Sequence, residues 1–557
     1  MSLDLAQPSP RSQGVWRYHL GKLFYASPLY GLTLSSRPPG ALEVVPPDPW
    51  PGDARRGAAL LKGSVELLDR TVAGQRMDWR PVGIGDDWVA ELHGFDWLRD
   101  LRTVGGDAAR RGARELIDDW MARHKRWDAL VWRPDVLGRR LAAWLGCHDF
   151  FCASADDAFR RRCLASLQRQ SRHLRRVLPH AASGAELIAA LKGLIAAGLC
   201  LPGLRPRAAL GLRLLARQLP IQVLPDGGHV SRNPATHARV LRDLVDIRST
   251  LLAARAEVPE ALMVAIDRMA PYLRMMRHGD GGLALFNGAR EEEPWLLDML
   301  LAQADARGRP PQSAPHSGYE RIVAGRTLVL ADVGAPPPRG FDAHAHAGTL
   351  SFELSVGKER LIANCGAMSG AQDHWLKAQR ATAAHSTLAL DDTNSTEVLR
   401  EGGLGRRPRK VTAHREEADG NVWLDLAHDG YVDGAGLVHR RRLYLSAAGD
   451  DLRGHDRLIL SGGATQAERF AARFHLHPAV KASLVQDGAV LLRLPGGGGW
   501  QFKADGPLAI AESVALGGSD APRRAEQIVV SGPLGAPDSD GVVAAVKWAL
   551  KRVAKKG

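Results

Sequence analysis

The residues best suited to chemistry fall in two stretches far apart in the chain. Asp226-Gly227-Gly228-His229-Val230-Ser231-Arg232-Asn233-Pro234-Ala235-Thr236-His237 holds two imidazoles, a guanidinium and a carboxamide. Phe341-Asp342-Ala343-His344-Ala345-His346 holds two histidines two apart, and His385 follows in Ala-His-Ser-Thr. Imidazole titrates near neutral pH and can take or give a proton there. The planar fork of arginine binds an anionic group through paired hydrogen bonds, which makes Arg232 and Arg380 candidates. Asn233 is an amide donor able to offset the charge of a carboxylate. Such residue types can move protons and bind anionic groups.

Plainer readings stand beside these. On a strand, residues two apart share a face, so His344 and His346 take the parity of Leu350, Phe352, Leu354 and Val356. Hydrogen bonding within a sandwich would account for them, and Gly348 is a place where a bulge would reset the parity. Asn233 precedes Pro234 and also suits a helix cap. His237 also fits an ordinary helix surface, whereas His229, just after a Gly-Gly turn, is expected to be exposed in a cleft.

The elements that must position these residues differ between the two halves. Segments 107–124, 135–151, 156–178, 184–200, 206–219, 232–257 and 259–277 have helical periodicity, with Asp135 as a candidate cap and breaks at Pro179, Pro202-Gly203, Pro220 and Pro259. They predict consecutive antiparallel helices, an array or ring, without a repeat of fixed period. A polar, proline-rich linker spans Asp305–Gly318. Beyond it, 326–333, 350–356, 387–390, 421–426, 440–445, 457–460 and 489–494 read as short strands of a large β-sandwich. Gly496–Gly499 reads as a flexible turn. Helices followed by strands exclude an interleaved α/β fold. The expected division is 1–106, an N-terminal segment, 107–312, the helical domain, and 313–557, the sandwich.

The 557 residues suit two or three domains, and the net charge of +13 favours a polyanionic partner. No apolar run is long enough to span a membrane. The polar stretch Met1–Gly14 does not read as a secretory signal. Five cysteines, an odd number without a Cys-x-x-Cys pair, read as buried thiols. Seven of the fourteen tryptophans lie between Trp79 and Trp144. Trp120, Trp127 and Trp144 have helical spacing and suit a core, and Trp88, Trp97 and Trp132 are candidates for stacking on sugar rings.

FDAHAHAGTLSFELSVGKERLIANCG (Phe341–Gly366) and QRATAAHSTLALDDTNSTEV (Gln379–Val398) resemble the C-terminal domain of the heparinase II/III-like polysaccharide lyases. LHGFDWLRDL (Leu92–Leu101), WRPDVLGRRLAAWL (Trp132–Leu145) and LPDGGHVSRNPATHARVLRDL (Leu224–Leu244) resemble the helical segments of that family. The resemblance implies an incomplete α/α-toroid followed by an antiparallel β-sandwich, with the site in the cleft between them. It implies β-elimination on an acidic, uronic-acid-containing polysaccharide such as a glycosaminoglycan, with the carboxylate neutralised, a proton removed at C5 and the leaving oxygen protonated. It also implies work in the cell envelope or periplasm, although the absence of a visible signal leaves a cytoplasmic location open.

Residue by residue, the resemblance gives His344 the catalytic histidine position. His346 and His385 match ligands of a structural zinc found in some members, and the third ligand, an Asp there, is Asn364 here. Gly348 replaces an Asp usual after the histidine pair. The family's catalytic Tyr falls on Thr236, which does not titrate near neutrality, and an upstream Asn that binds the carboxylate has no counterpart near Ala185–Glu186. As substitutes, Asn233 would neutralise the carboxylate and His229 or His237 would act as base. Two readings follow: a lyase, or a catalytically degenerate protein that binds acidic glycan on a lyase scaffold. Binding of nucleic acid has only the charge in its favour and no motif.

Overall fold

The computed structural model describes residues 21–553 except Ser36, 369–372 and 519–520. Met1–Gly14 therefore lies outside the described residues, as does the end of the basic tail. The chain divides into two compact units, one of residues 1–220 and 242–264 and the other of residues 221–241 and 265–557.

The first unit is helical apart from one hairpin, β1 (Ser64–Leu67) with β2 (Arg70–Ala73). Helices Gly106–Arg123, Pro134–Gly146, Asp157–Val177 and Gly184–Cys200 follow the periodicity of the sequence closely. Pro134 is the first residue of its helix, so Asp135 lies inside the first turn and pairs with Arg133 instead of capping. Helix Arg205–Gln222 contains Pro220. The expected break is corrected to a helix that runs two residues further, because a proline in the last turn costs one backbone bond and does not obstruct a long continuation. Gly184–Cys200 is buried almost all round. It approaches Pro134–Gly146 so closely that a methyl at Gly193 would stand 2.4 Å from the Cα of Gly138. Lys192 in that helix is buried against Asp243 at 2.5 Å and Asp246 at 3.2 Å. A ring cluster of Trp79, Phe95, Trp97, Trp120 and Trp144 fills the core beside them.

The second unit carries three antiparallel sheets. The first joins β3 (Ser313–Ala314), β4 (Tyr319–Ala324), β5 (Thr327–Asp332), β6 (Phe352–Val356) and β7 (Glu359–Ile362) in sequence order. Next along the chain come β8 (Leu388–Leu390), β9 (Val411–Ala418), β10 (Asn421–Tyr431), β11 (Leu437–Leu445), β12 (Asp451–Leu460) and β13 (Arg469–His475). The last are β14 (Lys481–Leu484), β15 (Val490–Arg493), β16 (Gly499–Ala504), β17 (Leu508–Ala515), β18 (Arg523–Pro533) and β19 (Val542–Val553). The eight-stranded sheet has the order β14-β15-β16-β19-β12-β11-β10-β9, and the four-stranded sheet β17-β18-β13-β8. Phe352 and Leu354 of the first sheet, Leu443 and Trp548 of the second and Phe474 and Ile528 of the third share one apolar core. Alternation along β10 and β11 follows from one face being buried and the other wet. The glycine run forms the tight turn between β15 and β16.

One buried ion pair ties this core to the chemistry-bearing segments. Arg441 donates to Asp456 at 2.6 and 3.1 Å, and its third arm reaches the carbonyls of Leu350 and Ser386 at 2.9 Å each. Leu350 ends the His-x-His segment and Ser386 follows His385, so one guanidinium fixes both. All five cysteines are buried thiols. No helix among the described residues is long and apolar enough to cross a membrane.

Candidate active site

The His-x-His segment is a turn, not a strand. β6 begins only at Phe352, and Leu350 adopts a φ of +62°. The strand parity expected for His344 and His346 is therefore corrected: the two side chains diverge. His344 is exposed and His346 is buried. The His346 N–H donates to the Asn287 side-chain oxygen at 3.4 Å.

Asn233 meets the same turn. Its Oδ1 accepts from the Thr236 N–H at 2.9 Å, capping helix Pro234–Ala253, and its Nδ2 donates to the Asn287 carbonyl at 2.8 Å. A methyl placed on Gly288 would stand 2.7 Å from the His344 carbonyl, 3.3 Å from His346 Nε2 and 3.5 Å from Asn233 Nδ2. The structure thus brings Asn233 and His346 together, with Asn287 as the bridge. Asn287 also donates to the Tyr319 hydroxyl at 3.0 Å and to Asp332 at 3.4 Å.

The two histidines proposed as bases are enclosed. His229 is 2% exposed and His237 1%. The Ser231 N–H donates to His229 Nδ1 at 3.2 Å, which leaves His229 Nε2–H to donate to Gln222 at 3.2 Å. His237 Nε2–H donates to the Met269 carbonyl at 2.9 Å, and its Nδ1 is buried without a partner. Burial pushes His229 down to about 3 and His237 down to about 4, so both stay neutral. The expected exposure of His229 and the helix-surface reading of His237 are both corrected.

The two arginines proposed to bind sugar acids are spent on the protein itself. Arg232, at a φ of +56°, donates to the carbonyls of Ser317 (2.6 Å), Gly318 (2.9 Å) and Ala335 (2.8 Å) and to Asp332 (2.5 Å). Its guanidinium also lies 4.8 Å from the centre of the Tyr319 ring. Arg380 donates to the carbonyls of Ala345 (2.9 Å) and Gly403 (2.8 Å). Both are buried. Trp88, Trp97 and Trp132, in the first unit, are 2%, 3% and 1% exposed. Trp88 Nε1 donates to the Arg70 carbonyl, Trp97 Nε1 to the Leu92 carbonyl, and Trp132 stacks edge-on against His173. The expectation of sugar stacking is corrected to one of core packing, since none presents a free ring face.

The residues expected from the resemblance to hold zinc, His346, His385 and Asn364, do not fit a closed zinc site. His385 Nδ1–H donates to the Ala381 carbonyl at 2.8 Å, which leaves Nε2 as the acceptor for His346 Nδ1–H at 3.1 Å. Burial pushes His385 down to about 4 and His346 well below the usual range. Asn364 uses both ends of its amide, donating to Glu353 at 3.1 Å and accepting from the Ser386 N–H at 3.0 Å. Two imidazoles bonded to each other supply half of a tetrahedral donor set. Among the described residues no group of three His, Cys, Asp or Glu side chains is placed to hold a metal. Gly348 follows from the same packing: a Cβ there would stand 2.6 Å from Cδ2 of His385.

Sequence reasoning missed the hubs of this region. Asn287-Gly288 is a turn dipeptide whose signal was available. Glu353, in the middle of β6, accepts from His278 Nε2–H at 2.8 Å and from the Leu285 and Asn364 N–H groups. Burial, the largest single influence, would raise its carboxyl, but the hydrogen bond and charge of His278, the charge of Arg360 and the Asn364 N–H together leave it below the usual carboxylate range. Of the expected catalytic side chains, only His344 is exposed.

The Heparinase II/III N-terminus model matches residues 69–304, and the Heparinase II/III-like, C-terminal model matches residues 306–549. The chain belongs to the heparinase II/III-like family. FtsZ-localized protein C of Caulobacter vibrioides (strain NA1000 / CB15N) is 35% identical over 99% of this chain and 98% of its own length. A heparinase III crystal structure aligns at a TM-score of 0.72 and 14% identity, covering 98% of this chain and 92% of that one. The heparan sulfate lyase HepC from Pedobacter heparinus aligns at 0.59 and 16%, covering 91% and 84%. At those identities the likeness is one of fold: the α/α-toroid and antiparallel β-sandwich of the heparinase II/III-like proteins.

Proposed function

We propose that this chain keeps the polysaccharide-lyase scaffold without the elimination chemistry, and acts by holding an acidic, uronic-acid-containing polysaccharide. The observation that carries the reading is the enclosure of His229 and His237, both buried, neutral and hydrogen-bonded inside the protein. Elimination needs a base, a neutraliser of the carboxylate and an acid. Thr236 stands at the family's Tyr position, and Asn233 is occupied by Thr236 and Asn287. His344 alone supplies one proton-transfer group, not two. The net charge of +13 favours an acidic partner.

The test is incubation with a panel of uronic-acid polysaccharides, following the ultraviolet absorbance of the unsaturated product while calorimetry follows binding. Binding without absorbance supports the reading. Absorbance that grows steadily and disappears in His344→Ala would establish a lyase instead.

A second reading rests on FtsZ-localized protein C, which this chain matches over nearly its whole length. On that reading the chain is positioned with FtsZ in the cell. A fluorescent fusion that coincides with labelled FtsZ supports this, and a uniform or purely peripheral distribution opposes it. The same fusion, with fractionation, tests the envelope location that the family implies.

A further inference from the structure

In the first unit, four arginines line one cavity of about 270 Å³: Arg172, Arg175, Arg176 and Arg207. The first three lie on helix Asp157–Val177 at spacings of three and four, which puts them on one face. Arg207 comes from the start of helix Arg205–Gln222 and is 6% exposed. Cations in a last turn complement the helix dipole, and that accounts for Arg175 and Arg176. It does not account for a buried arginine set against them from another helix.

Three of the four side chains are held in place by neutral oxygens. Arg172 donates to the Ser35 carbonyl at 2.5 Å, and Arg176 to the Thr33 hydroxyl at 2.6 Å and the Thr33 carbonyl at 2.8 Å. Arg207 donates to the Ser171 hydroxyl and, at 3.5 Å, to the Gln168 carbonyl. None of the four forms an ion pair with a carboxylate among the described residues. Burial, and then the charges of Arg172 and Arg175, push Arg207 down to about 10. Gathering like charges without a counterion is unfavourable unless an anion completes the set.

We propose that Arg172, Arg175, Arg176 and Arg207 form a binding site for a phosphate group. The arginine fork matches phosphate oxygens in pairs, and several forks suit a dianion better than a single carboxylate. The segment that supplies Thr33 and Ser35 also exposes Leu29 (67%) and Leu32 (71%). The phosphate is therefore carried either by a small soluble molecule or by a lipid headgroup.

The test uses the full chain at low salt. Inorganic pyrophosphate is titrated by calorimetry, and sedimentation is measured with phosphatidylglycerol vesicles against phosphatidylcholine vesicles. Arg175→Glu is the diagnostic variant, since Arg175 is exposed and its change leaves the folding contacts above intact. One-to-one binding that weakens more than ten-fold in Arg175→Glu, with an unchanged melting temperature, supports the site. Vesicle binding that pyrophosphate competes away assigns the source to lipid, and pyrophosphate binding without vesicle binding assigns it to a soluble ligand. Binding of neither probe, or affinity unchanged in Arg175→Glu, overturns the proposal.

Discussion

Replacing Arg232 with Met separates a structural arginine from a glycan-binding one. The guanidinium is buried, faces Asp332 at 2.5 Å, donates to three carbonyls within 2.9 Å and lies over Tyr319. Removing one partner of a buried pair costs about 3–5 kcal/mol, because the other charge is left without compensation. Carbonyls that lose their donor add about 1 kcal/mol each where no second donor replaces it. Gly318 also accepts from the Val333 N–H, so part of that loss is covered. The expected loss is therefore roughly 5 kcal/mol, measured by urea unfolding. Burial raises the Asp332 carboxyl and Arg232 opposes the rise, so the variant raises it further. A carboxyl whose folded value lies above its unfolded value contributes fully below the unfolded value, and that contribution is lost as pH rises through the folded value. The deficit of the variant against wild type should therefore narrow on going from about pH 7.5 to about pH 5. A surface contact would cost only about 0.5 kcal/mol. A loss that small, or a deficit that does not move with pH, refutes the structural assignment.

Three further outcomes follow from the same packing. Gly348→Asp places a Cβ 2.6 Å from the His385 ring and should cost about 1–3 kcal/mol by thermal melting; an unchanged melting temperature would contradict the packing. Asn233→Ala removes the cap on Thr236 and the bond to Asn287, for about 1–2 kcal/mol, whereas Asn233→Asp keeps the cap and should recover part of the loss. His229, His237 and His385 are held at about 3, 4 and 4, below their unfolded value of about 6.5. Their contribution is full above the unfolded value and is lost as pH falls towards the folded values, so urea midpoints should drop steeply between about pH 6.5 and about pH 4; a flat profile there would show that the rings take up protons without unfolding.

Much of the fold was legible because long periodic helices announce their buried faces. Helices Asp157–Val177 and Gly184–Cys200 lie within a residue or two of where the pattern puts them. The change to short alternating segments after residue 318 marks the sandwich in the same way. Local signals failed where distant packing decides. A Gly-Gly pair predicts the turn before His229, but Gln222 and the chain around it decide that the ring is enclosed. Arginine chemistry is legible at position 232, yet the oxygens that fill the fork come from residues 317–335. Strand parity could not be carried back from Phe352 to His344, because Leu350 turns the backbone into the left-handed region. A cluster of tryptophans reads equally as a sugar platform or a core, and only burial separates the two.

The most direct test of the central claim is single-turnover absorbance with enzyme in excess over a uronic-acid polysaccharide that calorimetry shows to bind. With His229 and His237 enclosed, the expected result is saturable binding and no unsaturated product. Formation of product by the wild-type chain, lost in His344→Ala while binding persists, would contradict it.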